Sequence, residues 1–261
     1  MSNSCFNVLQ TTANLELCEI DHWLRANELS LNHNKINFML LTSRKHNPAS
    51  FKVIINNHNI SPEDNLKYLG VLLDNKLSWK THVQKLKFTY QELVEFYPNL
   101  KHYTTLPVLK VVYNSLIHLY LNYSILNWGR ASNATIQPLI KLQNKGIKII
   151  NPTNMGPLDE YFQHLNIFCL PKLYSSSVGK FMHSYHNKLL PNHFDEYYIP
   201  LSSIHYHSTR LATSKHLFLP RVNSSSGKFS LKFIGPKVHS SIPDDIKWNL
   251  KKHHLHEKNF H

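Results

Sequence analysis

Two-metal phosphoryl-transfer chemistry needs carboxylates on neighbouring strands. The chain has one Asp-Asp pair, Asp244-Asp245, in the run Ser241-Ile242-Pro243-Asp244-Asp245-Ile246-Lys247-Trp248. Pro243 removes a ladder donor where a central hairpin strand would need one. The pair therefore reads as the start of a helix, where carboxylates complement the helix dipole. Cations are more numerous. Lys76, Lys80, His82, Lys85 and Lys87 follow one another at about the spacing of a helical turn along one segment. Such a row suits phosphates and carries no base preference. Lys141, Lys145 and Lys148 recur at i, i+4 and i+7, so they share a helix face opposite Ile140, Ile147 and Ile150. That face can be simply solvated, or it can contact nucleic acid.

The chain's 19 histidines do not form a recognised metal signature. His205 and His207 on a strand would face one side, and His253, His254, His256 and His261 crowd the end. Neither set has a Cys or carboxylate partner at a zinc-site spacing, so no metal site is expected. Cys5, Cys18 and Cys169 are too few and too scattered for a disulfide framework or a CxxC site. A reducing, intracellular compartment, nucleus or cytoplasm, fits them. A P-loop, a dinucleotide fingerprint and a nucleophile elbow are all absent from the sequence.

Lys and Arg number 29 against 16 Asp and Glu, a formal charge of +13 in 261 residues. That excess favours polyanions, nucleic acid ahead of an anionic membrane surface. The N-terminus has no basic segment followed by an apolar core, so no secretory signal is read. The most apolar stretch, 106–128, is interrupted by Lys110, Asn114, His118, Asn122 and Asn127, which points to a core-facing helix and not a membrane span.

Leu9, Ala13, Leu17, Ile20 and Leu24 give a helix ending near Asn27. Asn32-His33-Asn34 is a turn, and 35–41, 51–55 and 68–73 read as strands, with turns at 56–59 and 61–65. The run from Tyr68 to Val83 reads as strand, polar turn at Asp74-Asn75-Lys76, return through Leu77 and Trp79, and basic helix start. Helical patterns then cover 82–94, closed before Pro98, 106–120, 136–150, 157–165 and 170–190. From about Pro191 the texture changes to Pro, Ser, His and Tyr. Thr209-Arg210-Leu211, Leu219-Pro220-Arg221 and the segment 227–236 suggest short extended pieces joined by turns.

In order and spacing, the segments 21–35 and 68–83 resemble the reverse transcriptases of non-LTR (LINE-type, jockey-like) retrotransposons. Three further motifs lie in the same order: Tyr123-Ser124-Ile125-Leu126-Asn127-Trp128-Gly129, read as packing; Leu142-Gln143-Asn144-Lys145-Gly146-Ile147-Lys148-Ile149-Ile150; and Gly235-Pro236, followed by His239 in place of the family's Trp. The resemblance implies the part of the polymerase that follows its catalytic aspartates. It also implies an α+β fold: a small antiparallel sheet with a packed helix over 1–80 (a palm remnant with a primer-grip-like hairpin), a mainly helical thumb-like region over 81–190, and an irregular basic C-terminal region over 191–261. Gly70 would allow close backbone approach in that hairpin, with Lys76, Lys80, His82, Lys85 and Lys87 beside it on nucleic acid. Lys35 matches a lysine that approaches the triphosphate and assists pyrophosphate departure, although Ile36 stands where the family has Thr. A structural role for Lys35 is the alternative.

The chain is accordingly expected to be a fragment of an RNA-directed DNA polymerase that binds RNA or RNA–DNA hybrid nonspecifically and is inactive alone. Magnesium is expected only for a complete polymerase, and a partner would be the missing palm region of the same polyprotein. A non-enzymatic nucleic-acid-binding module, a part of a longer active enzyme, and a reading frame with no selected function are the alternatives.

Overall fold

The computed structural model describes residues 6–41, 51–151, 156–204, 217–223 and 225–241. Asp244-Asp245, Thr209-Arg210-Leu211 and the histidines at 205, 207, 253, 254, 256 and 261 lie outside them. The architecture is α+β, with helices predominating over two small antiparallel hairpins. The chain divides into two compact units, 1–82 and 83–261.

In the first unit, helix α1 (Phe6–Ala26) lies against strand β1 (Val53–Ile55), which pairs with β2 (His58–Ile60). Asn56 and Asn57, at φ 49° and 62°, close this hairpin as a two-residue turn of the type whose twist matches its strands. Two-stranded hairpins are marginal alone in water. Here α1 supports the free edge: Lys52 N donates to Gln10 Oε1 at 3.0 Å and Ile54 N to Asn14 Oδ1 at 3.0 Å. Polar side chains of α1 thus satisfy backbone groups that would otherwise invite another strand. Asp21 is buried and binds both Arg25 and Asn56 of the hairpin turn. Phe51, Val53 and Ile55 are buried, with Phe6 and Phe38 packed on Phe51 at centroid distances of 5.0 and 5.8 Å.

The second hairpin differs from the sequence reading. β3 (Asn65–Tyr68) and β4 (Val71–Asp74) pair antiparallel, and the turn between them is Leu69-Gly70. The apolar run 68–73 therefore is not one strand, and 75–79 is not a returning one. Leu69 and Gly70 both have positive φ, 45° and 85°, which closes the run on itself. Gly70 adopts this conformation without steric cost, and Leu69 follows it at some expense. Likewise 35–41 is not a strand: Lys35 ends a 3₁₀ turn (His33–Lys35) capped by Asn32, and Phe38 makes an isolated bridge to Pro62.

Helix α2 (Lys80–Tyr103) begins at the end of the first unit and belongs for the rest of its length to the second. It continues through Pro98, where the sequence suggests a stop. Val94 and Tyr97, both buried, hold the helix to the core on the N-terminal side of the missing N–H. α3 (Leu106–Tyr113), a π turn (Asn114–His118) and α4 (Leu119–Asn122) form one helical run. Its buried residues, Leu109, Tyr113, Ile117 and Leu121, recur every four positions. In an ideal α-helix that spacing drifts by about 40° per step. The wider π turn cancels part of the drift and keeps the four side chains inward.

α5 (Ile125–Trp128) and α6 (Asn133–Ile150) follow, then α7 (Leu158–Leu165) and α8 (Leu170–His186). The Trp-Gly motif is a packing device. Trp128 is fully buried with Nε1 donating to Tyr123 O at 2.9 Å, and a Cβ on Gly129 would stand 2.6 Å from Ile125 O and from Tyr174 Cδ2. Gly146 plays the same part on α6, where a Cβ would come within 2.8 Å of the Tyr90 hydroxyl of α2. In the C-terminal region, 227–236 is helical and not extended: a short α9 (Ser225–Lys228) leads to α10 (Leu231–Ser241), which packs on α8. Gly235 and Pro236 are buried within α10, and a Cβ on Gly235 would collide with Met182 of α8 and with Tyr198.

Candidate nucleic-acid interface

Strand β4 ends in Asp74, whose carboxylate organises the exit from the second hairpin. Oδ1 accepts from Lys76 N at 3.2 Å and Ser78 N at 2.9 Å, while Oδ2 accepts from Trp79 N at 2.8 Å. Asp74 O also takes Leu77 N at 2.8 Å. This clamp holds Leu77 and Trp79 at φ 49° and 64°, left-handed conformations that side chains with a Cβ seldom adopt. A turn this tightly tied presents Lys76 and Lys80 to solvent, Lys80 at the first position of α2. At the opposite end of the hairpin Gly70 is exposed beside Tyr68 and Leu69, themselves 60% and 73% exposed.

His82 is not part of an exposed cation row. It is buried, and its Nδ1 accepts Leu72 N at 3.3 Å, so the ring serves as an anchor for β4. In the second unit Lys85 is exposed and Lys87 half-buried. Two positions apart on a helix, they project about 200° from each other. The linear series read from spacing therefore does not form one stripe.

The three lysines of α6 do come together. Lys141, Lys145 and Lys148 are all exposed on one face, while Leu139, Gln143, Ile147 and Ile150 fill the opposite one. Among the described residues no carboxylate lies within ion-pair distance of any of the three. The described ion pairs are instead Arg25–Asp21 at 2.8 Å and Lys188–Asp195 at 3.9 Å. A row of uncompensated cations along about two turns can follow a phosphate backbone. Beneath them, Gln143 is 1% exposed and its amide makes three bonds: to the Tyr113 hydroxyl (2.9 Å), to Phe168 O (3.2 Å) and from Leu170 N (2.9 Å). Burial pushes the Tyr113 phenol up to about 12, opposed by the hydrogen bond from Gln143. The lysine face thus rides on a helix that is fixed from below.

Lys35 is exposed at the end of its 3₁₀ turn. The carboxylates nearest the second hairpin are already engaged, Asp74 by backbone N–H groups and Asp64 by the Asn75 side-chain amide at 2.6 Å. Among the described residues, no three His, Cys, Asp or Glu side chains gather as a metal site would require. No described helix is long and apolar enough to cross a membrane. Sequence reasoning missed Asp74 as the organiser of this turn. Its signal was an Asp followed closely by Ser and a helix start, the pattern of a side-chain-closed turn.

Over 136 residues the chain is 26% identical to a probable RNA-directed DNA polymerase from transposon X-element of Drosophila melanogaster. The chain resembles a transposon RNA-directed DNA polymerase. The match covers 49% of this chain and 14% of the relative, so the chain spans a small part of that polymerase's length. No family model matches the sequence, and no solved structure matches it.

Proposed function

We propose that this chain is a fragment of a retrotransposon RNA-directed DNA polymerase, from the part that follows the catalytic aspartates, and that it binds RNA or RNA–DNA hybrid without sequence preference. The similarity to a transposon polymerase supports the origin. The observation that carries the binding is the α6 face, where Lys141, Lys145 and Lys148 stand exposed and uncompensated. Lys76 and Lys80, presented by the Asp74 clamp, add cations of the same character. Contacts of this kind act through phosphates, so affinity falls with salt and varies little with base sequence.

Retention of single-stranded RNA and of a hybrid duplex, measured from low to physiological ionic strength, tests the reading. Three phosphate contacts give a slope of about −2 in log K against log salt on a single strand. Affinity that is flat across that range removes electrostatic binding. On its own the chain is expected not to extend a primer in this reading, because the aromatic-Ala-Asp-Asp hairpin that holds the family's metals is not found in its sequence.

A second reading is completion of an active enzyme by the separate catalytic region. Helix α1 favours it: Leu15, Ile20 and Trp23 are 63%, 52% and 60% exposed, on the side away from Asn14 and Asp21. Apolar side chains exposed along one helix face mark a surface for another protein. Primer extension by a mixture of this chain and the catalytic fragment, absent from either alone, supports that reading; no extension removes it.

A further inference from the structure

The helical run from α3 through the π turn to α4 is largely apolar on three of its four sides, and only one of these fills the core. Residues four apart stack into columns along it, because the π turn offsets the usual drift. Leu109, Tyr113, Ile117 and Leu121 are the inward column. Beside it Val108, Val112, Leu116 and Tyr120 form a second, and Val111, Ser115 and Leu119 form a third that points outward. Lys110, Asn114, His118 and Asn122 make the fourth side polar. Val108, Val111, Leu116, Leu119 and Tyr120 are between 42% and 65% exposed, as is Phe96 on α2. Between α2 and the run, Leu86 and Leu93 line an open apolar groove of about 200 Å³ with Leu116 and Tyr120.

We propose that this face pairs two copies of the chain about a two-fold axis, the ridge of Val111 and Leu119 on each copy entering the groove of the other. A two-fold interface must be complementary to itself. Here the ridge and the groove lie in neighbouring columns of one helix, and ridges of residues four apart pack into such grooves when helices cross. Charge points to the same occupant. The run 106–122 holds one Lys and no Asp, Glu or Arg, so it offers a polyanion or a charged protein surface little to pair with. Area agrees. At the exposures given, the six side chains leave on the order of 600 Å² uncovered, the upper end for one patch on a monomer. Two copies would together bury about 1,200 Å², the lower end for a specific interface, so the dimer is a weak one. The pairing goes beyond the polymerase reading and uses neither the α6 lysines nor α1.

Sedimentation of the nuclease-treated full chain, from about 1 to about 200 µM and at two ionic strengths, tests the proposal; an interface of this size gives a dissociation constant on the order of 10 µM. The mean mass should rise toward two chains, and amide exchange in 106–122 should slow with concentration. Two copies of charge +13 repel each other, and salt screens that repulsion. Dimerisation should therefore strengthen with salt, the opposite of RNA retention. Leu119→Glu and Val111→Glu, which change exposed side chains, should keep the parent's thermal unfolding. Each should weaken the association by about tenfold or more, because the pairing would bury a carboxylate with no partner. A wild-type chain that stays monomeric throughout overturns the proposal. So does association that persists unweakened in either folded variant, or that weakens with salt. Should one variant not fold, the other decides alone.

Discussion

Gln143 on α6 donates its side-chain amide to the hydroxyl of Tyr113 on α3 at 2.9 Å, in a part of the helical unit that water does not reach. The same amide group accepts Leu170 N at the start of α8, so one side chain fastens three elements. A buried polar group costs little when every partner is in place and much when one is removed. Gln143→Leu leaves Leu170 N and Phe168 O without this partner. We expect a loss of about 3 kcal/mol, against about 1 kcal/mol for Tyr113→Phe. Urea unfolding followed by far-ultraviolet circular dichroism distinguishes the two, and equal losses would contradict the role assigned to Gln143.

Buried phenols make the fold sensitive to alkali. Burial pushes Tyr113 and Tyr174 up to about 12, from an ordinary value of 10.0, and raises Tyr90, Tyr97 and Tyr198 as well. Between those values the unfolded chain releases phenolic protons that the folded chain retains. The folded state then binds more protons than the unfolded one, so stability declines as pH rises. It is fully present below pH 10 and is lost progressively toward 12. Unfolding temperatures measured from about pH 9 to about pH 11 should fall steeply above the midpoint of that range. A flat profile would mean that these hydroxyls are hydrated.

Asp74 governs the second hairpin's exit through the N–H groups of Lys76, Ser78 and Trp79. Asp74→Ala should cost about 2 kcal/mol, at the upper end for a lost side-chain cap. Leu77 and Trp79, released from positive φ, relax toward ordinary backbone. Faster amide exchange at Ser78 and Trp79, with β1 and β2 unchanged, is the expected signature. Exchange rates equal to those of the wild type would show that the turn does not depend on the carboxylate.

The triple change Lys141→Gln, Lys145→Gln, Lys148→Gln removes exposed charge and touches no buried side chain. Stability should stay within about 0.5 kcal/mol of the parent. RNA retention should weaken for all base sequences alike, and the salt slope should shrink by about 2. Unchanged retention would move the interface away from α6.

Long periodic segments were legible from sequence. α6 and α7 lie close to their expected limits because each buries one side of a regular repeat, and α1 does so with its repeat only half-buried at Leu9, Ala13, Leu17 and Leu24. The second hairpin is not legible because Tyr68 to Leu73 is apolar throughout, and nothing in that run marks Leu69-Gly70 as a turn except the lone glycine. Pro98 reads as a stop, yet burial of Val94 and Tyr97 outweighs one lost hydrogen bond. α10 is not legible because Gly235 and Pro236 argue against a helix locally, and only the packing shows that Gly235 stands where a side chain would collide with Tyr198 and Met182. On the site side, the α6 lysines followed from spacing alone. His82 could not, because a histidine at the start of a basic helix gives no sign that its ring turns back to hold β4.

The π turn at Asn114–His118 marks where the chain can be shortened. Four inward residues spaced by four, at 109, 113, 117 and 121, suit a helix that carries one residue more than the regular coil needs. Removing a residue such as exposed Ser115 would respace the inward set as four, three and four, the rhythm of an ordinary amphipathic helix. The bulge is in this sense an accommodated insertion. A single-codon deletion here lets the helix return to regular geometry, whereas the same deletion in α6 would turn Ile147 and Ile150 away from the core.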